Sequence, residues 1–439
     1  MKKKKLIHIT LLLFFFINTL NAQEVVKISL NRAIQLGIQN GNDIKADSIN
    51  TLISKSVVKE SKKNLLPDLS LSTNITYYGD ISKTTVPAGL LGNDNPEKIS
   101  LGANNNTNAA LNFNYTLYKP GLYTNINIAK NNSTLAKEKL KQEKLSVRYE
   151  ITRAYYEMAL KKVEFKILQK EEQRYKSYYE LVKGKYNNGV VLQNDLDQAN
   201  LDYKSANINT RKSKQLYELC CINLKYRINI PDYTKIEFTD SLESLQSDND
   251  IIGNNPVIDR TELNQLIIEN RGNQLQLKKA KENYLPTISL FANCSQYFQS
   301  NHFDYSNSFN WYPVNYVGIQ VSIPILGIVK NHEQVLRNKL KIAQTNELIC
   351  QKTNDIKNEI NKASIELKNA ELNEQTSVAN YNLAQCIYDR QKQQFQIGTL
   401  QYQNLLNTEK SIHNAQQNYF SSVYDLLLAK LKYKMAISK

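Results

Sequence analysis

The spacing of apolar and polar residues changes period several times along this chain, and each change marks a different element. Leu69, Leu71, Thr73, Ile75 and Tyr77 take every second position, as do Leu111, Phe113, Tyr115 and Leu117. Side chains two apart share one face of a strand, so each run predicts a β-strand with one apolar face. A second pair repeats the plan, loosely in Ile288, Leu290, Ala292 and Cys294 and clearly in Val317, Ile319, Val321 and Ile323. Each run covers about ten residues, the length of a tilted strand that crosses a bilayer. Polar loops rich in Gly and Asn are expected between the strands of each pair, over about 79–108 and about 299–315.

Elsewhere the period is helical. First helices are expected over about 31–64 and about 260–283, each stopped by a Leu-Pro pair, Leu66-Pro67 and Leu285-Pro286. Much longer helices follow the strands, over about 122–187 and about 328–397. At 65 to 70 residues each would reach roughly 100 Å, too long for a compact globule. In the first of them Ile151, Tyr155, Met158, Phe165, Leu168, Tyr175, Tyr179, Val182 and Tyr186 form a seam, interrupted by Lys162 and Glu172. The return helix carries Leu196, Ala199, Tyr203, Ala206, Thr210, Ser213, Tyr217, Cys220 and Leu224 at alternating steps of three and four. About 209 positions later Leu405, Thr408, Ile412, Ala415, Tyr419, Ser422, Leu426, Ala429 and Tyr433 take the same places.

The chain is therefore written twice. The Leu-Pro segments recur about 219 positions apart, the second strands about 206, and the turns Tyr186-Asn187-Asn188-Gly189 and Phe395-Gln396-Ile397-Gly398 about 209. The expected organisation is a signal peptide at 1–22, a first repeat at 23–230, a linker at 231–259 and a second repeat at 260–439.

Composition narrows the setting. Lys2 to Lys5, the apolar run Leu6–Leu20 and Ala22 before Gln23 have the form of a secretory signal peptide. No Cys follows the cleavage point, so a lipid anchor there is not expected, and no later apolar run reaches spanning-helix length. The net charge of +15 falls to about +11 without the four signal lysines. The remaining lysines alternate with glutamates on helical faces, without the aromatic-plus-basic patch that nucleic acid requires. The five cysteines lack framework spacing and read as small apolar residues, and the four histidines make no metal-ligand pattern. No phosphate loop, nucleophile elbow or zinc spacing is present, so an enzyme is not expected and no cofactor is implied.

Four membrane-length strands cannot close a barrel, and an open edge in hydrocarbon leaves backbone groups unpaired. Such a chain must oligomerise, and three copies supply twelve strands. The Leu-Pro junctions, the strand end Val321-Ser322-Ile323-Pro324-Ile325 and the two Gly-containing turns together resemble the outer-membrane efflux protein family, the TolC-like exit ducts of Gram-negative bacteria. The resemblance implies a homotrimer with a twelve-stranded barrel in outer-membrane lipid and a long α-helical tunnel in the periplasm. It also implies docking to a periplasmic adaptor and an inner-membrane pump, proton-driven or of ABC type. The tips Asn187, Asn188, Gly189, Ile397, Gly398 and Thr399 would meet the adaptor, and Pro67, Gly121, Pro286 and Gly327 would join barrel to helices. Family members carry acidic rings just after the second tip, where this chain has Asn404 and Asn407; its nearby acids, Asp195 and Asp197, follow the first tip instead. These four are the gate candidates. A duct for type I protein or peptide secretion is the alternative within the class, and a periplasmic coiled-coil adaptor or scaffold the alternative outside it. Tyr77, Tyr78, Tyr118, Tyr297 and Tyr312 are placed for an aromatic belt at strand ends.

Overall fold

The computed structural model describes residues 26–89, 92, 95–231, 236–246, 260–397 and 399–437. The expected signal peptide, most of the expected linker and Gly398 lie outside the described residues. In chain order the elements are β1 (Val26–Ile28), α1 (Leu30–Asn40), α2 (Asn42–Lys63), β2 (Asp68–Tyr77), β3 (Lys83–Val86), β4 (Glu97–Ser100), β5 (Asn105–Tyr118), α3 (Leu122–Asn187), α4 (Gln193–Arg227), β6 (Ile236–Phe238), α5 (Leu242–Gln246), α6 (Thr261–Glu282), β7 (Thr287–Ser300), β8 (Trp311–Ser322), α7 (Gly327–Gln396) and α8 (Tyr402–Ala436). They fall into two compact units.

The unit of Thr51–Ala136 and Leu266–Leu348 holds the sheet, antiparallel in the order β2-β5-β7-β8. Leu69 pairs with Phe113, which pairs with Ala292, which pairs with Val317. One row further, Leu71, Leu111 and Cys294 stand side by side. The register thus gathers the period-two residues of all four strands onto one face. A bulge sets Thr116 opposite Ser289 and Tyr118 opposite Ile288, so Tyr118 continues the apolar row where Leu117 was expected.

Three strands exceed the expected ten residues: β5 and β7 have 14 each and β8 has 12. Asn105–Asn108, Gln299, Ser300 and Trp311–Asn315 belong to strands rather than loops. Backbone ladders need no apolar side chain, so polarity alone understated the strand ends. Pro313 is accommodated because β8 is an edge strand. The first loop also contains the hairpin β3–β4, whose four-residue strands leave too little pattern to read.

The other unit is the described part of Met1–Asn50, Lys137–Gln265 and Ile349–Lys439. Here β1 pairs in parallel with β6, Val26 opposite Ile236 and Ile28 opposite Phe238. This pairing places an element in the segment expected to be linker. Its strands are three residues long and about 210 positions apart, beyond the reach of any periodicity. Ser29 caps α1 by accepting from Arg32 N at 3.3 Å, and the expected single first helix breaks at Gly41, where ψ opens to 125°. Ile28, Ile34, Ile151, Tyr155, Met158, Leu224, Phe238, Leu242, Val423 and Leu427 form the core. The Tyr155 hydroxyl lies 3.1 Å from both Ile28 O and Asp240 Oδ2, and its ring meets Phe238 edge-on at 5.6 Å.

Both helical hairpins pack along the expected seams. Every one of the nine positions on α4 and their counterparts on α8 is buried or half-buried. Phe165 stacks on Tyr217 at 6.4 Å and Tyr179 on Tyr203 at 6.0 Å; Tyr381 stacks on Tyr419 at 5.6 Å. The two interruptions have partners: Lys162 donates to Phe238 O at 3.1 Å, and Glu172 accepts from the Asn207 amide on α4. Arg260, buried ahead of α6, donates to Met435 O at 3.2 Å and Ala436 O at 2.7 Å, and pairs with Glu262 and Glu359. It thereby caps the end of α8. Cys220 and Cys221 are half-buried, in keeping with a packing role, and Cys294, Cys350 and Cys386 are exposed.

Candidate functional site

The sheet presents two chemically different faces. On the apolar face Leu69, Leu71, Ile75, Val317, Ile319 and Val321 are each more than half exposed. Such a band is costly in water and natural against hydrocarbon. On the other face Asn293 donates to Asn112 Oδ1 at 2.8 Å, and Asn112 donates to Ser72 Oγ at 3.1 Å. This ladder crosses three strands and satisfies side chains in pairs. At the loop end, Phe298, Tyr305 and Trp311 cluster with centroids 4.6 to 6.3 Å apart, and Tyr297 stacks on Tyr312 at 5.9 Å. Of the belt candidates, Tyr77 stacks there on Phe303, while Tyr118 stands alone at the helical end.

The four junction residues use different devices. Before Pro67, Leu66 N bonds Lys63 O at 2.8 Å; before Pro286, Leu285 N bonds Glu282 O at 2.9 Å. Each is a tight turn that lets the helix stop and a strand begin. Gly121 has φ +78°, a conformation that side chains with a Cβ resist. Gly327 needs no positive φ; a Cβ there would sit 3.2 Å from the Pro324 Cβ.

At the first tip, Gly189 N bonds Tyr186 O at 2.9 Å and Val190 N bonds Lys185 O at 2.9 Å, with Gly189 at φ +73°. This is a Schellman closure. At the second tip Thr399 N bonds Gln394 O at 3.0 Å, the same bond at the repeat offset, and the Thr399 hydroxyl donates to the same carbonyl. Asn187 closes α3, Asn188 N bonds Gly184 O at 3.2 Å, and Ile397 is 75% exposed.

The gate candidates are not gathered by direct contact. Asn404 and Asn407 have exposed side chains, and their backbone carbonyls accept from the Thr408 and Ser411 hydroxyls. Asp195 accepts from Leu192 N at 3.2 Å and Asp197 from Gln193 Nε2 at 3.0 Å, so both acids serve the start of α4. Nearby, residues of three helices form a half-buried polar cluster that the sequence did not reveal. Tyr388 of α7 donates to Glu409 of α8 at 3.3 Å, and His413 Nδ1 of α8 lies 3.2 Å from Glu171 of α3, without hydrogen-bond alignment. Burial raises the Glu409 carboxyl above its ordinary range, against the pull of Arg174. Burial, with Glu171 next, pushes Tyr175 up to about 12. Only the three-dimensional meeting of α3, α7 and α8 unites these groups; their types at isolated helical positions carried no signal.

This combination of an amphipathic four-stranded sheet and twin helical hairpins has known counterparts. Residues 33–222 match the family model described as Outer membrane efflux protein. That is the family to which the sequence motifs point. The matched segment takes in the first strand pair and most of the first helical hairpin. The fold agrees over nearly its whole length. The Campylobacter jejuni CmeC outer membrane channel is 18% identical with a TM-score of 0.73, covering 93% of this chain and 85% of that one. The Neisseria gonorrhoeae MtrE outer membrane channel, solved in an open state, is 14% identical with a TM-score of 0.75, covering 93% and 88%. The Vibrio cholerae outer membrane protein VceC is 15% identical with a TM-score of 0.71, covering 93% and 95%. No curated protein sequence matches.

Proposed function

We propose that this chain is one subunit of a homotrimeric duct, a passive channel that releases drugs or metabolites handed over by an inner-membrane pump through a periplasmic adaptor. One observation carries the reading: a four-stranded sheet with an exposed apolar face has β2 and β8 as open edges. In hydrocarbon an unpaired edge costs several kcal/mol for each exposed backbone group, so the edges must pair between copies. Three copies give twelve strands, within the range of closed membrane barrels. The duct does no bond chemistry. Its tips, Asn187 to Gly189 and Ile397 to Thr399, dock the adaptor, and Asn404 and Asn407 narrow the periplasmic end with amides in place of a carboxylate ring. An amide ring leaves the pore without the strong cation preference that carboxylates impose.

Photocrosslinking from Asn188 and Ile397 in cells, with captured partners identified by mass spectrometry, tests the docking. An adaptor at both tips is expected; capture of only soluble enzymes or structural proteins overturns it. In planar bilayers, weak cation preference that strengthens in Asn404→Asp is expected. Strong preference unchanged by the substitution sinks the amide gate.

A further inference from the structure

The helical end of the sheet carries a feature that the duct reading leaves unused. A cavity of about 470 Å³ opens at the polar face near the loops, but the more informative one, 460 Å³, lies at the opposite end, where α6 gives way to β7. Its walls are Leu277, Lys278, Lys281, Glu282, Tyr284 and Leu285, with Gln274 beside them. The wall combines two lysines and one glutamate with the apolar surfaces of Leu277, Tyr284 and Leu285. Leu285 is 44% exposed, and two residues beyond Pro286 the apolar strand face begins with Ile288 and Leu290.

The charges at this cavity are unequal in their commitments. Lys278 lies 3.8 Å from Glu282, whose other oxygen accepts from the Thr124 hydroxyl at 2.7 Å. Lys281 is exposed and makes no ion pair among the described residues. The first repeat shares the lysines and the exposed leucine, with Leu65 in the place of Tyr284. There Lys62 and Lys63 end α2, exposed and without ion pairs among the described residues, and Leu66 stands 67% exposed ahead of Pro67. A lysine at a helix C-terminus complements the helix dipole, which explains one such residue but not the adjoining exposed leucines or the cavity. Cation, aromatic hydroxyl and apolar edge, arranged in that order toward a membrane-facing sheet, fit a molecule with an anionic head and acyl tails.

We propose that the junctions at Lys278, Lys281 and Tyr284, and at Lys62, Lys63 and Leu66, bind the phosphodiester head groups of anionic phospholipids in the periplasmic leaflet. The inference rests on the membrane placement of the sheet. Lipid held there fixes the height of the sheet in the bilayer: the head group pins the helix end while the acyl chains cover the first apolar row. In a closed trimer the two junctions of each chain make a collar of six.

The test uses the full chain, purified in neutral detergent and studied by native mass spectrometry. The probes are phosphatidylglycerol and phosphatidylcholine of the same acyl composition, and inorganic phosphate separately. Each lysine near an anionic surface strengthens association by about fivefold. Retained phosphatidylglycerol should therefore exceed phosphatidylcholine, and Lys281→Gln should weaken retention about fivefold and Lys62→Gln with Lys63→Gln by more. Equal retention of the two lipids, or retention unchanged in the triple variant, overturns the proposal. Displacement of the lipid by millimolar phosphate also overturns it, since the site would then recognise a free anion. Fractionation separates this failure from that of the duct itself. A protein that sediments with outer membranes yet ignores lipid charge refutes only the collar, whereas one recovered without detergent refutes both readings. Unchanged circular dichroism in the variants excludes misfolding as the cause.

Discussion

Leu71 and Ser72 are neighbours in sequence that the sheet sends to opposite faces, so exchanging each for arginine tests the placement of the whole sheet. Leu71 is 76% exposed and stands in a row with Leu111 and Cys294, near the middle of three strands. At the midplane of a bilayer an arginine on the lipid face of a barrel costs about 2–4 kcal/mol. That corresponds to roughly 30- to 1,000-fold in the assembly equilibrium. Ser72 lies on the polar face and accepts from the Asn112 amide at 3.1 Å. Its replacement sacrifices that bond and the longer one that Ser72 donates to Ala110 O at 3.5 Å, about 1 kcal/mol each at most, and leaves the new guanidinium in water. The assay is the fraction of expressed protein that reaches the membrane as a species extracted only by detergent. Leu71→Arg should reduce it severely, while Ser72→Arg stays within a few-fold of the parent. The opposite order would mean that the faces are assigned backwards. Two equally tolerated substitutions would mean that the sheet does not meet hydrocarbon.

Three further outcomes follow from local geometry. Gly189→Val forces a β-branched residue to φ +73°, at a cost of about 1–2 kcal/mol; trypsin should then cut faster at Lys183 and Lys185, with Gly189→Asn intermediate, and equal resistance of all three proteins would contradict the closure described. Arg260→Met leaves Met435 O and Ala436 O without their donor, a loss of roughly 2–4 kcal/mol; the guanidinium midpoint of the helical signal should fall, and an unchanged midpoint would show that water replaces the cap. Burial raises the folded-state pKa of Glu409 above the 4.5 of a free carboxyl; the folded state then holds the proton more tightly than the unfolded state, so stability declines as pH rises from about 4.5 through the raised value and is level above it. Glu409→Gln should remove that decline and stabilise the protein near neutral pH, and a pH profile unaltered by the change would dissociate Glu409 from it.

Local repetition was legible; distant pairing was not. The seam Leu196 to Leu224 and its counterpart from Leu405 could be read because helical burial repeats every three or four residues and both copies preserve it. The strand faces were legible for the same reason at period two, but their ends were not, because Asn105 and Asn106 join the ladder through backbone groups alone. The bulge at Leu117 is a one-residue irregularity that periodicity smooths over. The pair β1–β6 needs both partners at once, and the second falls in a segment that looks like linker. Among the site residues, Gly189 was legible because a turn demands its conformation, and Thr399 because it repeats Val190. The cap made by Asp195 and the side-chain bond made by Asp197 were not, since an acid six or eight residues beyond the turn glycine reads equally well as a pore charge. The cluster around Glu409 draws on three helices and has no linear signature.

The polar ladder of Ser72, Asn112 and Asn293 belongs to a face whose only charged residue among those paired in the sheet is Asp68, at the helical end. In the proposed barrel this face is the inner wall. Amides and hydroxyls exchange partners with water readily and hold no counter-ion, so a passing solute meets many shallow resting points and no deep one. Beyond the Asp68 carboxylates at its helical end, transit along such a wall is limited by girth and diffusion instead of by release from a bound state. Whatever sorting this duct performs must be finished before its cargo reaches the sheet.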